Sequence, residues 1–339
     1  MNIYLAFGLF SVCSAGAFLF LKLARMYGLH DHPSGRSSHW KPTVTGMGLI
    51  ISLAFITYLF WHPYFLPEYF VAGFFIITAV SFLDDLLFLK HSFRLVVQMI
   101  TMGMLMAQMP YNSLGAEAIP IYLASFIFGI GVLNAYNFMD GVNGMLTLHA
   151  LLVFSGLYYL NENITDLQGH AIAFTDSNFI LSIIIPLAIF GFFNIRRSAI
   201  AFMGDVGSMS IAFITVYLIY SLIFKTGNYM YLLMFSVFGA DAALTVLYKL
   251  LLGENIFVPH RDFLFKKLVH LGKWSHLKVS FAYFGIQAAI NLIVIGLFPS
   301  CPKLSTQISA LFIGCLFLIG LYIYVQSRFS KSSARKLKD

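Results

Sequence analysis

Apolar runs of the length a bilayer requires, roughly 20 residues each, alternate along this chain with short polar links. In order they fall at 2–24, 44–62, 69–88, 93–110, 118–137, 143–160, 177–193, 207–224, 229–251, 279–298 and 305–327. The pattern predicts an all-α, polytopic transmembrane helical bundle of about 11 spanning helices, a single integral membrane domain over 1–327 followed by a basic tail, 328–339. One stretch breaks the rhythm. Between the fifth and sixth runs, Asn134-Ala-Tyr-Asn137-Phe-Met-Asp140-Gly-Val-Asn143-Gly144 carries three amides, a carboxylate and two glycines. Asn134, Asn137 and Asp140 recur every three residues, so a helix end would stack them on one face. The glycines after them would end the helix and leave backbone N–H groups free for a polar ligand. Polar groups at membrane depth are costly and mark functional candidates.

Composition agrees with the pattern. Only 10% of the 339 residues are charged, 59% are hydrophobic and mean hydropathy is +0.83, whereas soluble domains carry about 25% charged residues. The first run is too long for a signal-peptide core and has no small-residue cleavage site, so it is read as retained. The three cysteines, Cys13, Cys301 and Cys315, show neither metal-ligand spacing nor a disulfide framework.

Charge sets the expected orientation. With the N-terminus outside and the C-terminus cytoplasmic, inside links and their flanking helix ends hold 19 of the 21 Lys and Arg residues, leaving only Lys225 and Lys303 outside. This is the positive-inside distribution. Every polar cluster then falls on the inside face. One-sided chemistry suits an enzyme using a cytosolic substrate, whereas a transporter needs polar residues near the bilayer midplane. No nucleic-acid partner is expected.

Four further clusters carry candidate chemistry. Asp84-Asp85 closes the third run with apolar residues on both sides. Adjacent carboxylates repel and are costly to desolvate, so a divalent metal or a cationic side chain is their natural partner; Lys90 and Arg94 follow at helix-compatible distance. Phe202-Met-Gly-Asp205-Val-Gly207-Ser208 enters the eighth run. Asp205 there offers a carboxylate beside free N–H groups, which suits Mg²⁺ shared with substrate phosphates, or a helix N-cap. His260-Arg261-Asp262, with Lys266, Lys267 and His270, fills the inside loop 252–278 and suits anionic phosphates or lipid headgroups. The first inside link, His30-Asp31-His32-Pro33-Ser34-Gly35-Arg36-Ser37-Ser38-His39, lacks the geometry of a zinc site and reads as a phosphate-facing loop. Asp241, within the ninth run, is a carboxylate whose role stays open.

In this order the clusters resemble the polyprenyl-phosphate N-acetylhexosamine-1-phosphate transferases of glycosyltransferase family 4, which include enzymes that initiate O-antigen and teichoic acid synthesis and the peptidoglycan lipid I enzyme. The matching pieces are Asp31-x-Pro33 with Arg36-Ser-Ser-His39, Asp84-Asp85, Asn134-x-x-Asn137-x-x-Asp140-Gly141-x-x-Gly144, Phe202-Met-Gly-Asp205-x-Gly207-Ser208 and Pro259-His260-Arg261. The resemblance implies that a polyprenyl (undecaprenyl) phosphate attacks the β-phosphorus of a UDP-N-acetylamino sugar, releasing UMP. It also implies a bacterial inner-membrane enzyme that starts lipopolysaccharide or other cell-surface polysaccharide synthesis. Mg²⁺, with Mn²⁺ as its substitute, would offset diphosphate charge. By the same resemblance Asp84, Asp85 and Asp205 are catalytic, with Asp205 and Asp85 the metal ligands. Asn134, Asn137, Asp140, Asn143, Lys90, Arg94, Arg36, His39, His260 and Arg261 are substrate-binding. The expected partners are the donor, the lipid acceptor, the bilayer and a second copy of the chain as a homodimer.

Two positions depart from the family pattern. Where many relatives have a His-rich run, this chain has Asp262-Phe263-Leu264-Phe265, and where many have Asp it has Asn143. An amide still accepts a hydrogen bond and can also donate one. The loop favours an O-antigen or surface-polysaccharide initiator, with FucNAc, QuiNAc, GlcNAc or GalNAc as the donor sugar. A lipid carrier or transporter on the same scaffold, binding without turnover, is the rival reading. A non-catalytic anchor for an assembly complex is a third, motivated by Phe263 and Phe265.

Overall fold

The computed structural model describes residues 3–33, 39–111, 115, 118–165, 170–254, 262–297 and 303–336. Its helices are α1 (Ile3–Met26), α2 (Leu49–Trp61), α3 (Glu68–Leu87), α4 (His91–Ala107), α5 (Ala118–Met139) and α6 (Met145–Asn163), then α7 (Ser177–Asn194), α8 (Gly204–Thr226), α9 (Ser236–Leu251), α10 (Leu264–His270), α11 (His276–Leu297) and α12 (Leu304–Lys336). A 3₁₀ turn, Tyr229–Phe235, leads into α9. The short strands β1 (His30–Asp31) and β2 (Thr43–Val44) pair antiparallel in the first link.

Each of the eleven apolar runs contains a helix, and among the described residues eight helical segments are long and apolar enough to cross a membrane. The other three runs hold α2, α4 and α6, with 13, 17 and 19 residues. For α2 the shortfall has a local cause: residues 43–48 are spent on β2 and a turn through Gly46, whose φ is +87°. α10 lies within the loop 252–278, and α12 continues through 328–336.

α8 is the axis of the fold. Its sequence is apolar on every side, the mark of a helix enclosed by others, and nearly all of it is buried, chiefly against α3, α5 and α2. In lipid, close packing and interhelical hydrogen bonds do the work that water exclusion does elsewhere. Accordingly Gly73 of α3 faces the Phe213 ring, where an added Cβ would stand 2.9 Å from it. Thr78 and Ser210 share a hydrogen bond of 2.8 Å. At the start of α8 a Cβ on Gly207 would come within 2.7 Å of the Gly48 Cα. That contact lets the ends of α2 and α8 cross backbone to backbone and brings the first link onto residues 201–203, where Phe202 N–H donates to Val44 O at 2.7 Å and Gly48 N–H to Met203 O at 2.9 Å.

Candidate active site

The C-terminal end of α3, the first turns of α4 and α8, and the last turn of α5 meet at one end of the bundle. α3 and α4 are joined by three residues, with Phe88 in the left-handed region at φ +52°. Asp84 holds this turn, accepting from Leu89 N–H at 2.7 Å through Oδ1. The turn sets Arg94, one turn into α4, opposite the carboxylates. Its Nη1 donates to Asp84 Oδ2 at 2.5 Å and to Asp205 Oδ2 at 2.9 Å. The two carboxyl groups are themselves within hydrogen-bonding reach of each other, and the Asn137 amide touches Asp205 as well as Ser208 Oγ. One guanidinium thus compensates two carboxylates drawn from two helices far apart in sequence, α3 and α8. The pocket beside it, walled by Ile77, Val80, Val97 and Met209, has room for little more than a water molecule.

Asp85 turns the other way. Its Oδ1 and Oδ2 accept from the backbone N–H groups of Asp205 and Val206 at 2.9 and 3.0 Å. The N–H groups expected to be free at the start of α8 are therefore taken by a carboxylate from α3, which caps the helix in place of a side chain of its own. Gly204 makes this approach feasible. Its φ is +76°, and a Cβ there would sit 2.6 Å from Asp85 Oδ2 and 2.8 Å from the Gly46 backbone. The spacing of the Gly204-Asp205-x-Gly207 segment is thus a packing requirement on both sides: one glycine admits Asp85, the other Gly48.

The central amide cluster is divided by the fold. Asn134 points to α4, where its Nδ2 donates to Gln98 Oε1 at 2.9 Å, so its amide is engaged inside the bundle. Asn137 reaches α8. Asp140 follows the end of α5; its N–H donates to Asn137 O at 3.4 Å, and its carboxyl has no hydrogen-bond or ion-pair partner among the described residues. Burial pushes its carboxyl up from 3.8 to about 7, helped by repulsion from Asp85 and Asp31. Asn143 donates to the carbonyls of Arg196 and Arg197 at 3.0 and 3.3 Å, while its backbone N–H meets His276 Nδ1 and its carbonyl accepts from Ser280 Oγ. Nor is the backbone after the cluster free throughout: Gly144 N–H donates to Asn194 Oδ1 at 2.7 Å, and the Asn194 amide donates to Ala201 O at 3.0 Å.

Lys90 is exposed at the head of α4 and makes no ion pair among the described residues. His39 lies edge-on to Phe202, with Nε2 3.8 Å from Asp31. Arg36, His260 and Arg261 lie outside the described residues. Asp241, whose role was open, caps α10: its oxygens accept from the N–H groups of Leu264 and Phe265 at 2.8 and 3.2 Å and from Tyr283 Oη at 2.7 Å. α10 thereby docks on the 138–141 turn, with Phe263 against Phe138 and Phe265 with Lys266 against Gly141.

Sequence reasoning passed over Gln98, Asn194 and Ser280, each of which holds a site element in place. Gln98 had a readable signal, since it lies four residues after Arg94 on the same helix face. Asn194 had none, because its partners come from two separate segments, the start of α6 and the link before α8.

Among the described residues no three His, Cys, Asp or Glu side chains form a metal cage by themselves. The donor set nevertheless fits Mg²⁺, which binds one or two carboxylates together with substrate phosphates and retained waters. Among the described residues Asp84 and Asp205 share a single compensating guanidinium, and Asp140 has no cation.

Residues 68–223 match the family described as glycosyl transferase family 4. That segment runs from the start of α3 into the last turns of α8 and contains Asp84, Asp85, Arg94, Asn137, Asp140 and Asp205. The match covers a little less than half of the chain and supports a glycosyl transferase in general terms, and by length and composition the apolar helices are those of a multi-pass membrane protein. No curated protein matches the chain.

Proposed function

From a transferase-family core built around paired carboxylates, we propose that the protein transfers an N-acetylhexosamine-1-phosphate from a UDP-sugar to polyprenyl phosphate. A lipid phosphate oxygen attacks the β-phosphorus, the bond from that phosphorus to the bridging oxygen breaks, and UMP leaves. The supporting observation is the Asp84–Arg94–Asp205 constellation at one end of an apolar bundle. A phosphate monoester has its second pKa near ~6, so at neutral pH the acceptor is already largely a dianion. The carboxylates are then needed for positioning and charge balance more than for proton removal. Asp205 and Asp84 would hold Mg²⁺, which when bound offsets the negative charge of the diphosphate. Asp85 fixes the start of α8 and through it the placement of Asp205. Arg94, released from one carboxylate, is placed to meet a phosphate oxygen. Lys90, exposed and without an ion pair among the described residues, stands at the head of the same helix.

Asp140 and Asn137 face the donor side in this reading, and Lys266 supplies positive charge beside Gly141. Phe263 and Phe265 are buried, so the aromatic replacements act as the packing that holds α10 down. In this reading, which the positive-inside charge distribution supports, this end of the bundle faces the cytoplasm at a bacterial inner membrane, where the product would begin O-antigen or related surface-polysaccharide synthesis.

The test is UMP release by purified protein given polyprenyl phosphate, Mg²⁺ and a panel of UDP-amino sugars. Release that disappears in Asp205→Ala and with chelator supports the reading. Absence of release with every donor, from folded protein that still binds the lipid, would overturn it in favour of a carrier or anchor.

A further inference from the structure

The opposite end of the bundle holds a cavity that the transfer reaction does not use. It has a volume of about 330 Å³, within the roughly 300–1,000 Å³ range of small-molecule sites. It lies between the start of α3, the end of α4, the end of α8 and the link before α7. Counting along α8 from Asp205 to Ser221 puts it roughly 24 Å from the carboxylates at 1.5 Å per residue. Its walls are aromatic and aliphatic: Phe70 stacks on Tyr217 at 3.9 Å, and Phe174, Phe224 and Leu105 complete them. Side-chain polarity comes from Gln108, Ser221, Lys225 and the Tyr217 hydroxyl. The Gln108 Oε1 is already committed to Phe70 N–H at 2.8 Å.

Lys225 is exposed and makes no ion pair among the described residues. It is also one of two basic residues at this end of a chain that gathers the other 19 elsewhere. The second, Lys303, lies one helical turn before Gln307, which donates to Gly227 O at 3.2 Å, two residues after Lys225. A lysine in the last turn of a helix complements its dipole, but that role needs no adjoining apolar cavity. We propose that this cavity seats an anionic lipid of the facing leaflet, with its phosphate at Lys225 and the upper part of one chain among Phe70, Phe174 and Phe224. Headgroup charge selects the ligand, and the aromatic walls require a chain.

Binding of short-chain phosphatidylglycerol to the full-length protein tests this, compared with phosphatidylcholine of the same chains and with inorganic phosphate, and read by native mass spectrometry. One anionic lipid is expected to be retained, with phosphatidylcholine weaker and inorganic phosphate unable to displace it. Lys225→Gln, at an exposed position, should weaken retention about fivefold, the effect of one basic residue at a lipid surface. Ser221→Trp should fill the cavity and abolish binding. If that variant does not fold, Met109→Trp at the rim makes the same test. Equal binding of both lipids, full displacement by inorganic phosphate, or unchanged retention in Lys225→Gln or in a folded tryptophan variant would each overturn the proposal.

Discussion

Asp85→Asn separates holding the fold from holding a metal. Both Asp85 oxygens accept backbone N–H donors from the first turn of α8, at 2.9 and 3.0 Å. Asparagine retains one acceptor and turns an NH₂ group toward the other donor, leaving one N–H unsatisfied. A buried unpaired donor costs about 1–3 kcal/mol, and loss of a negative charge at a helix N-terminus adds about 0.3–1 kcal/mol. Relief of the desolvation of a buried charge, and of the smaller repulsion from Asp84 and Asp31, acts in the opposite direction. The lost hydrogen bond leaves a backbone donor buried at the start of α8, so the expected net destabilisation is about 1 kcal/mol. The assay is SDS-induced unfolding of metal-free protein in mixed micelles, followed by tertiary fluorescence, with UMP release measured on the same preparation. Stability and turnover should fall together. A variant with undiminished stability in the absence of metal, but with weakened Mg²⁺ dependence of turnover, would refute the capping argument and make Asp85 a ligand only.

Arg94→Gln removes the cation shared by Asp84 and Asp205; an uncompensated buried charge of this kind costs about 3–5 kcal/mol, so metal-free protein should unfold earlier and millimolar Mg²⁺ should rescue the variant more than the wild type, as thermal denaturation with and without the ion would reveal. Gly204→Ala places a side chain at φ +76° and 2.6 Å from Asp85 Oδ2, whereas Gly46→Ala, also left-handed, meets nothing nearer than the Phe20 ring at 3.4 Å. Both should lose about 1–2 kcal/mol to backbone strain, but Gly204→Ala should lose turnover far more completely, and equal turnover in the two would count against the close fit. Asp140, raised from 3.8 to about 7 in the folded protein, contributes stability that is fully present below pH 3.8 and is lost as pH rises through 7. Metal-free wild type should therefore lose stability between pH 5 and pH 8 more steeply than Asp140→Asn in thermal unfolding, and parallel profiles would exclude a buried, uncompensated carboxyl.

Much of the architecture is local and was open to inspection in the chain itself. A helix satisfies its own backbone hydrogen bonds, so a run of apolar residues specifies a membrane helix without reference to any other part of the molecule. The helical bundle and the candidate status of Asp84, Asp85, Asp140 and Asp205 follow from such runs and the charges that interrupt them. What each polar group does depends on partners far away in sequence, and only the tertiary structure decided it. Asp84 and Asp85 are neighbours on one helix, separated by about 100° of rotation; one therefore meets Arg94 and the other the amides of α8. Asn134 and Asn137 share a motif but answer to different helices. Asp241, unreadable alone, caps a short helix 23 residues later. The glycines of the Gly204-Asp205-x-Gly207 segment look like flexibility in one dimension, and in three they are the clearance that lets a carboxylate and another glycine reach the start of α8.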